Sequence, residues 1–306
     1  MSLHGLESVT IGVPNVDQVG AFYTQFGLSD QGGGSFATTD GGNQLQLVDQ
    51  PYRRLVNAVI RAEDTDDIAR IRAAAEKVGL ETSGTDEQIA VVDPIAGARF
   101  EVKILPRLIE TERAPLEFNS PGHTPRPGDR SPAIFETGPT APRRLGHVLM
   151  GTTDLDASIR FYTEVLGFKL SDAVPGMIAF LRCSSDHHNI GLSQAPVSFL
   201  HHTSWQVDDV DAIGVGAQNL LAYDAESSVW GLGRHFLGSN LFWYFRDPAG
   251  NFAEYYADLD QIIDDDAWVA QNWDPAKSLY AWGPTVPAAF LAPPDLADIA
   301  AGAAAA

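Results

Sequence analysis

A single cysteine, Cys183, stands among 306 residues, which excludes an internal disulfide framework and any metal site built from paired thiolates. Its expected role is that of a small core hydrophobe. Cations are scarce too: 20 Lys and Arg face 40 Asp and Glu, for a formal charge of −20 and an isoelectric point near 4.6. A surface of that sign repels phosphate backbones and anionic bilayers, so neither nucleic acid nor a membrane is an expected partner. No apolar run is long enough to span a bilayer, and Met1-Ser2-Leu3-His4-Gly5-Leu6-Glu7 lacks a basic stretch followed by an apolar one. A cytoplasmic location is the resulting expectation. The length permits a large core and one to three domains.

What the chain does contain is a repeat. Leu6 to Asp17, leading to Phe22-Tyr23-Thr24-Gln25-Phe26-Gly27-Leu28, is echoed by Leu145 to Asp156, leading to Phe161-Tyr162-Thr163-Glu164-Val165-Leu166-Gly167-Phe168. Each copy reads as a strand, a capped helix and a glycine stop; in the second, Asp154 or Asp156 caps a helix with Leu155, Ile159, Tyr162 and Leu166 on one face. Two more helical stretches follow apolar strands: Asp64 to Leu80, with Ile68, Ile71 and Val78, and Asp208 to Leu221, with Ile213 and Leu220. Short strand-like pieces follow each helix, such as 42–48, 88–92, 177–183 and 240–245. The pattern is a βαβββ unit used four times, an α+β architecture of two domains with two units each. Residues 1–105 form the first domain, a proline-rich linker covers 106–142, and 143–257 form the second domain. A tail follows over 258–306, anchored by Trp268, Trp273, Tyr280 and Trp282, with its alanine-rich end expected to fray.

The candidate chemistry gathers around Phe245-Arg246-Asp247-Pro248-Ala249-Gly250-Asn251-Phe252, which reads as a tight turn between two aromatic strands. Pairing Arg246 with Phe252 sets Tyr244 opposite Glu254 on one face. A carboxylate on a buried strand face needs a compensating partner, and a metal ion is one such partner. His147 and His202, each on an apolar strand upstream, are the candidate further ligands; two imidazoles and one carboxylate make the facial triad of non-haem Fe(II) enzymes that bind oxygen. A strand histidine alone is ordinarily a hydrogen-bonded core or surface residue, so the weight lies on the set. The repeat puts Ser8 opposite His147, Asn57 opposite His202 and Glu101 opposite Glu254, so the first half is expected to hold no metal and Glu101 to be solvated or ion-paired.

With these residues in view, the chain from Leu6 to Tyr256 resembles the type I extradiol catechol dioxygenases of the vicinal oxygen chelate superfamily. The resemblance implies Fe(II), with Mn(II) as the other candidate, held by His147, His202 and Glu254. It also implies His188, rather than its neighbour His187, as the acid-base residue, and His235, in a Gly-Arg-His segment, and Tyr244 as further catalytic groups. Leu149, Phe180 and Trp230 are the expected apolar substrate walls. Expected partners are a small catechol and dioxygen, with assembly as a homo-oligomer. Arg182 and Arg234 are the cations that, turned inward, would favour a carboxylated catechol over an apolar one. A glyoxalase or epimerase type of lyase or isomerase is the alternative, and a metal-free small-molecule binding protein a second alternative.

Overall fold

The computed structural model describes residues 2–114, 116–135 and 138–305. Strand β1 (Leu3–Val13), helix α1 (Val16–Gln25) and strands β2 (Ser29–Gly32), β3 (Ser35–Thr38) and β4 (Gly42–Asp49) form the first unit. Strand β5 (Arg54–Ala62), helix α2 (Thr65–Lys77) and strands β6 (Thr82–Gly84), β7 (Gln88–Val92) and β8 (Arg99–Ile104) form the second. The third is β9 (Arg144–Thr152), α3 (Leu155–Arg160), β10 (Lys169–Val174), β11 (Ile178–Arg182) and β12 (Ile190–Gln194). The fourth is β13 (Phe199–Gln206), α4 (Val210–Tyr223), β14 (Ser228–Arg234), β15 (Leu241–Arg246) and β16 (Phe252–Ala257). The βαβββ unit thus occurs four times.

The two sheets repeat one strand order. The first runs β2-β3-β4-β1-β5-β8-β7-β6; the second, read from its other edge, runs β10-β11-β12-β9-β13-β16-β15-β14. A short strand from the tail, β17 (Gln271–Asn272), adds to β10 at the sheet edge. The repeat extends to register: Thr10 pairs with Asn57 as Leu149 pairs with His202, and Val59 pairs with Glu101 as Ser204 pairs with Glu254. No described helix is long and apolar enough to cross a membrane.

Local chemistry explains the boundaries. The Asp247 carboxylate accepts hydrogen bonds from the backbone N–H groups of Ala249 and Asn251, both at 2.9 Å, and Gly250 takes φ +95°, a left-handed angle that suits glycine. That turn fixes the β15–β16 register, with Arg246 on Phe252 and Tyr244 on Glu254, as the sequence suggested. Asp64, Asp154 and Asp209 cap α2, α3 and α4 with their side chains, so the fourth-unit helix begins one residue later than Asp208 would set it. Val78 lies past the end of α2 and is exposed; Ala75 takes its expected place beside Ile68 and Ile71. Downstream of α3 the backbone widens into a π-helical turn, Phe161–Leu166, which buries Phe161, Tyr162, Val165 and Leu166 together and ends at Gly167.

The strands that matter most are buried on both faces. Every residue of β9 and β16 is buried, and all of β13 except Gln206. On one face Val148, Met150, Trp205, Ala253 and Tyr255 enter an apolar core that also contains Phe22, Tyr23 and Phe26 of the first half. The Phe26 ring stacks on Tyr255 at 4.0 Å, and the Tyr255 hydroxyl donates to the Phe26 carbonyl at 2.6 Å. The tail packs on the body, and its alanine-rich stretch is helical as far as Ala305. Helix α5 (Ala288–Leu291) buries Phe290, and α6 (Leu296–Ala305) buries Ile299.

Candidate metal centre

On the opposite face, β9, β13 and β16, three adjacent strands of the second sheet, bring His147, His202 and Glu254 together. One ligand atom from each lies within 4.8 Å of the others. His147 Nε2 approaches Glu254 Oε2 at 3.0 Å without hydrogen-bonding geometry, and His202 Nε2 stands 3.6 Å from the same oxygen. Glu254 Oε2 and His202 Nε2 are both sealed from solvent with no hydrogen-bond partner. Leaving such groups unpaired is costly, and a divalent cation among them would satisfy both at once. Two imidazole nitrogens and a carboxylate on one side are a donor set suited to Fe(II) or Mn(II), so the residues present fit such an ion.

Electrostatics favour the ligating protonation states. Burial alone would raise the Glu254 carboxyl, but the imidazoles of His147, His235 and His202 together outweigh it and hold the group below the usual carboxylate range. Asn240 Nδ2 donates to the other carboxylate oxygen, Oε1, at 3.2 Å. Burial presses His202 well below the ordinary imidazole value, leaving a neutral ring with a lone pair to give. Gly146 makes room beside His147: a Cβ there would lie 2.0 Å from the Tyr256 hydroxyl, whose ring packs 5.4 Å from that of His147.

A cavity of about 180 Å³ opens at this centre, lined among others by Leu149, Ile178, Phe180, Leu237 and Phe290. His147, His202, His188, His235 and Tyr244 line the same cavity. Of the anticipated apolar walls, Leu149 and Phe180 are present. Trp230 is not: its ring stacks behind Tyr244 at 5.7 Å, and its Nε1 donates to the Pro284 carbonyl. There it has the place of a packing residue in a second apolar cluster with Phe242, Tyr244, Phe252 and Phe290.

The polar side chains around the cavity are tethered. His187 Nε2 meets the Asp172 carboxylate at 3.1 Å, and its Nδ1 meets His188 Nδ1 at 3.0 Å. A carboxylate accepts, so a neutral His187 carries its proton on Nε2, and its Nδ1 accepts from His188 Nδ1–H. That leaves His188 Nε2 as the ring's free base. Burial pushes His188 well below its ordinary value, and the His147 imidazole adds to this. His235 Nδ1 bonds the Leu279 carbonyl and its Nε2 lies 3.0 Å from the Tyr244 hydroxyl. Burial raises the Tyr244 phenol well above the usual range, so it stays an O–H donor. Arg182 bonds Ser171 and Asp265, Arg234 bonds the Ser239 carbonyl and Asp258, and neither lines the cavity.

Sequence reasoning passed over the tail. Phe290, Leu291, Ala292 and Leu296 close one side of the cavity, and backbone groups of Gln271, Leu279 and Phe290 bond Asp172, His235 and His201. The available signal was the apolar run Ala288-Ala289-Phe290-Leu291 between Pro287 and Pro293.

In the first half the equivalent positions hold Ser8, Asn57 and Glu101, and Glu101 is paired with Arg99 and with Lys103, the latter at 2.6 Å. Ser8→Ala is therefore expected to leave metal content unchanged and turnover within about twofold, as changes away from a site usually do; a large loss in a folded variant would contradict this.

Residues 144–255, the span of β9 to β16, match the Glyoxalase/Bleomycin resistance protein/Dioxygenase superfamily. The match spans that second half alone, and the fold of the chain is the vicinal oxygen chelate fold. Among curated relatives, metapyrocatechase 2 of Cupriavidus necator is 37% identical over 212 residues, 68% of this chain and 64% of that protein, short of two thirds of its length. Among solved structures, the Mn(II)-bound glyoxalase from Novosphingobium aromaticivorans superposes with a TM-score of 0.72 at 24% identity, covering 94% of this chain and 93% of that one. Homoprotocatechuate 2,3-dioxygenase from Brevibacterium fuscum, in complex with 3,4-dihydroxyphenylacetate, gives 0.72 at 18% identity, covering 94% and 91%.

Proposed function

We propose that this protein is an extradiol dioxygenase that opens the ring of a catechol bearing a small apolar substituent, using Fe(II), or Mn(II) in its place, held by His147, His202 and Glu254. The observation that carries the reading is the pair of sealed, unpartnered ligand atoms of His202 and Glu254, at the end of an apolar cavity that His188, His235 and Tyr244 also line. The likeness to metapyrocatechase 2 supports it.

Held by His147, His202 and Glu254, a ferrous ion would supply the spin-allowed route by which a catechol and dioxygen react. The protein's residues supply the rest. His188 Nε2, kept neutral by burial, takes a proton from a substrate hydroxyl and later returns it. Tyr244, kept protonated, donates its O–H to His235 Nε2, whose own ring proton is held by the Leu279 carbonyl, so the phenol oxygen is fixed at the cavity wall with a lone pair left to accept. Leu149, Phe180 and Phe290 exclude water and flank the ring.

The lyase or isomerase reading ordinarily calls for a fourth protein ligand. Among the described residues the triad is the one cluster of its kind, and His235, 3.8 Å from Glu254, is already engaged by Leu279 and Tyr244. A metal-free binding protein would leave the two unpartnered atoms unexplained.

Substrate preference follows from the lining. With Arg182 and Arg234 engaged elsewhere, a carboxylate in the cavity would lack a cation, at a cost of roughly 1–3 kcal/mol or more. A buried methylene contributes about 0.8 kcal/mol. After anaerobic loading with Fe(II), 3-alkylcatechols are expected to give yellow ring-opened product in air, with kcat/KM at least about tenfold above that of a carboxylated catechol. A higher kcat/KM for the carboxylated compound would overturn the preference, and no product from any catechol by the loaded protein would overturn the activity.

A further inference from the structure

We propose that His201, outside the ligand set, is a positioning residue through which the carboxy-terminal segment fixes the tautomer and orientation of the metal ligand His202. The inference rests on the metal-centre reading above and goes beyond it.

His201 is buried between two partners. Its Nε2 lies 2.7 Å from the backbone carbonyl of Phe290, and its Nδ1 lies 2.8 Å from His202 Nδ1. A carbonyl only accepts, so Nε2 carries the proton and, in a neutral ring, Nδ1 is an acceptor. The only proton able to fill the second contact is then on His202 Nδ1. With that nitrogen committed as a donor, the lone pair of His202 is on Nε2, the atom that faces Glu254 without a partner. A two-bond relay from a tail carbonyl thus selects the one tautomer able to bind metal, and the same bonds fix the plane of the ring.

The tail is fastened where the relay begins. Phe290 packs on Trp230, Tyr244 and Phe252, at 5.0, 4.6 and 5.2 Å between ring centroids. Five residues on, Asp295 receives both Nε and Nη2 of the buried Arg53, at 2.6 and 2.9 Å. Arg53 belongs to the first half of the chain and also donates to the Leu200 carbonyl, next to His201. The same segment that walls the cavity therefore holds a ligand in register.

Two substitutions separate the two bonds. In His201→Asn the side-chain oxygen takes the place of Nδ1, so His202 keeps its acceptor while the tail loses its donor. In His201→Gln the amide nitrogen takes the place of Nε2, so the tail keeps its donor while His202 loses its acceptor. Mn(II) affinity, measured by competition with a chelator, is expected to fall 10–100-fold in His201→Gln and to stay within about threefold in His201→Asn. Amide exchange over residues 279–296 is expected to quicken in His201→Asn and to stay at the wild-type rate in His201→Gln. Equal losses of affinity in the two variants, or wild-type affinity in His201→Gln, would overturn the proposal. Should either variant fail to fold, Asp295→Asn replaces the pair: faster exchange of the tail with weakened Mn(II) binding supports the coupling, and faster exchange with unchanged binding overturns it. If the wild-type protein itself takes up neither Mn(II) nor Fe(II), the metal-centre reading falls instead.

Discussion

Glu254→Gln is expected to reduce bound divalent metal from about one ion per chain to a small fraction of that, and His202→Ala to do the same. Each removes one of three donors, so the loss of affinity should exceed the 10–100-fold typical of removing an outer hydrogen-bond partner of a ligand. The two variants differ in what they do to the empty protein. Glu254 is fully buried, with one weak partner in Asn240, and an unmetallated carboxylate there carries a desolvation cost. Gln gives up the attraction of the neighbouring imidazoles, which outweighs that cost, so metal-free Glu254→Gln should melt slightly below the metal-free wild type. His202→Ala instead opens a hole beside Tyr244, whose ring lies 5.1 Å away, and should melt lower. Elemental analysis with thermal melts after chelation checks both halves of the statement. Unchanged metal content in both variants would remove the triad from consideration.

The second large effect is expected at His188. Its ring lies 4.2 Å from that of His147 and 4.7 Å from that of Phe180, beside the ligands without being one of them. His188→Phe should keep its metal and lose roughly a hundredfold to ten-thousandfold in turnover, the range of a general acid-base residue. His187→Phe leaves the base in place while cutting its link to Asp172, so a smaller loss and a displaced pH-rate profile are expected. Single-turnover rates of the iron-loaded variants across pH decide the matter. If His187→Phe proves the more damaging of the two, the acid-base role belongs to His187.

Much of this was legible because symmetry and pairing leave marks in a sequence. The repeat of Leu6 to Leu28 in Leu145 to Phe168 aligned Ser8 with His147, and the registers of β1 with β5 and of β9 with β13 are consistent with that alignment. The Asp-Pro-Ala-Gly-Asn turn sets Tyr244 opposite Glu254 through strand pairing alone. The tail was a different matter. It acts on the site through main-chain carbonyls, which every residue possesses, so the identities of Leu279 and Phe290 carry no sign that their oxygens hold His235 and His201. Trp230 misled for a related reason. An aromatic residue in an aromatic strand has the same sequence signature whether it lines a cavity or packs one layer behind it. The π-helical turn after α3 shifts the buried face by a fraction of a turn, which a pattern of 3.6-residue spacing does not anticipate.

The apolar core that runs without a break from Phe22 and Phe26 into Trp205 and Tyr255 gives the half without ligands a second importance. The two halves share one apolar cluster, so the chain is expected to unfold as one cooperative unit rather than as two beads on a string. A cavity opened under α1 would lower the melting temperature of the whole molecule, the ligand-bearing strands included, although no side chain there comes near the metal. Packing in the first half is thereby part of what holds the ligand-bearing strands in place, although Ser8 and Asn57 stand there where His147 and His202 stand in the second half.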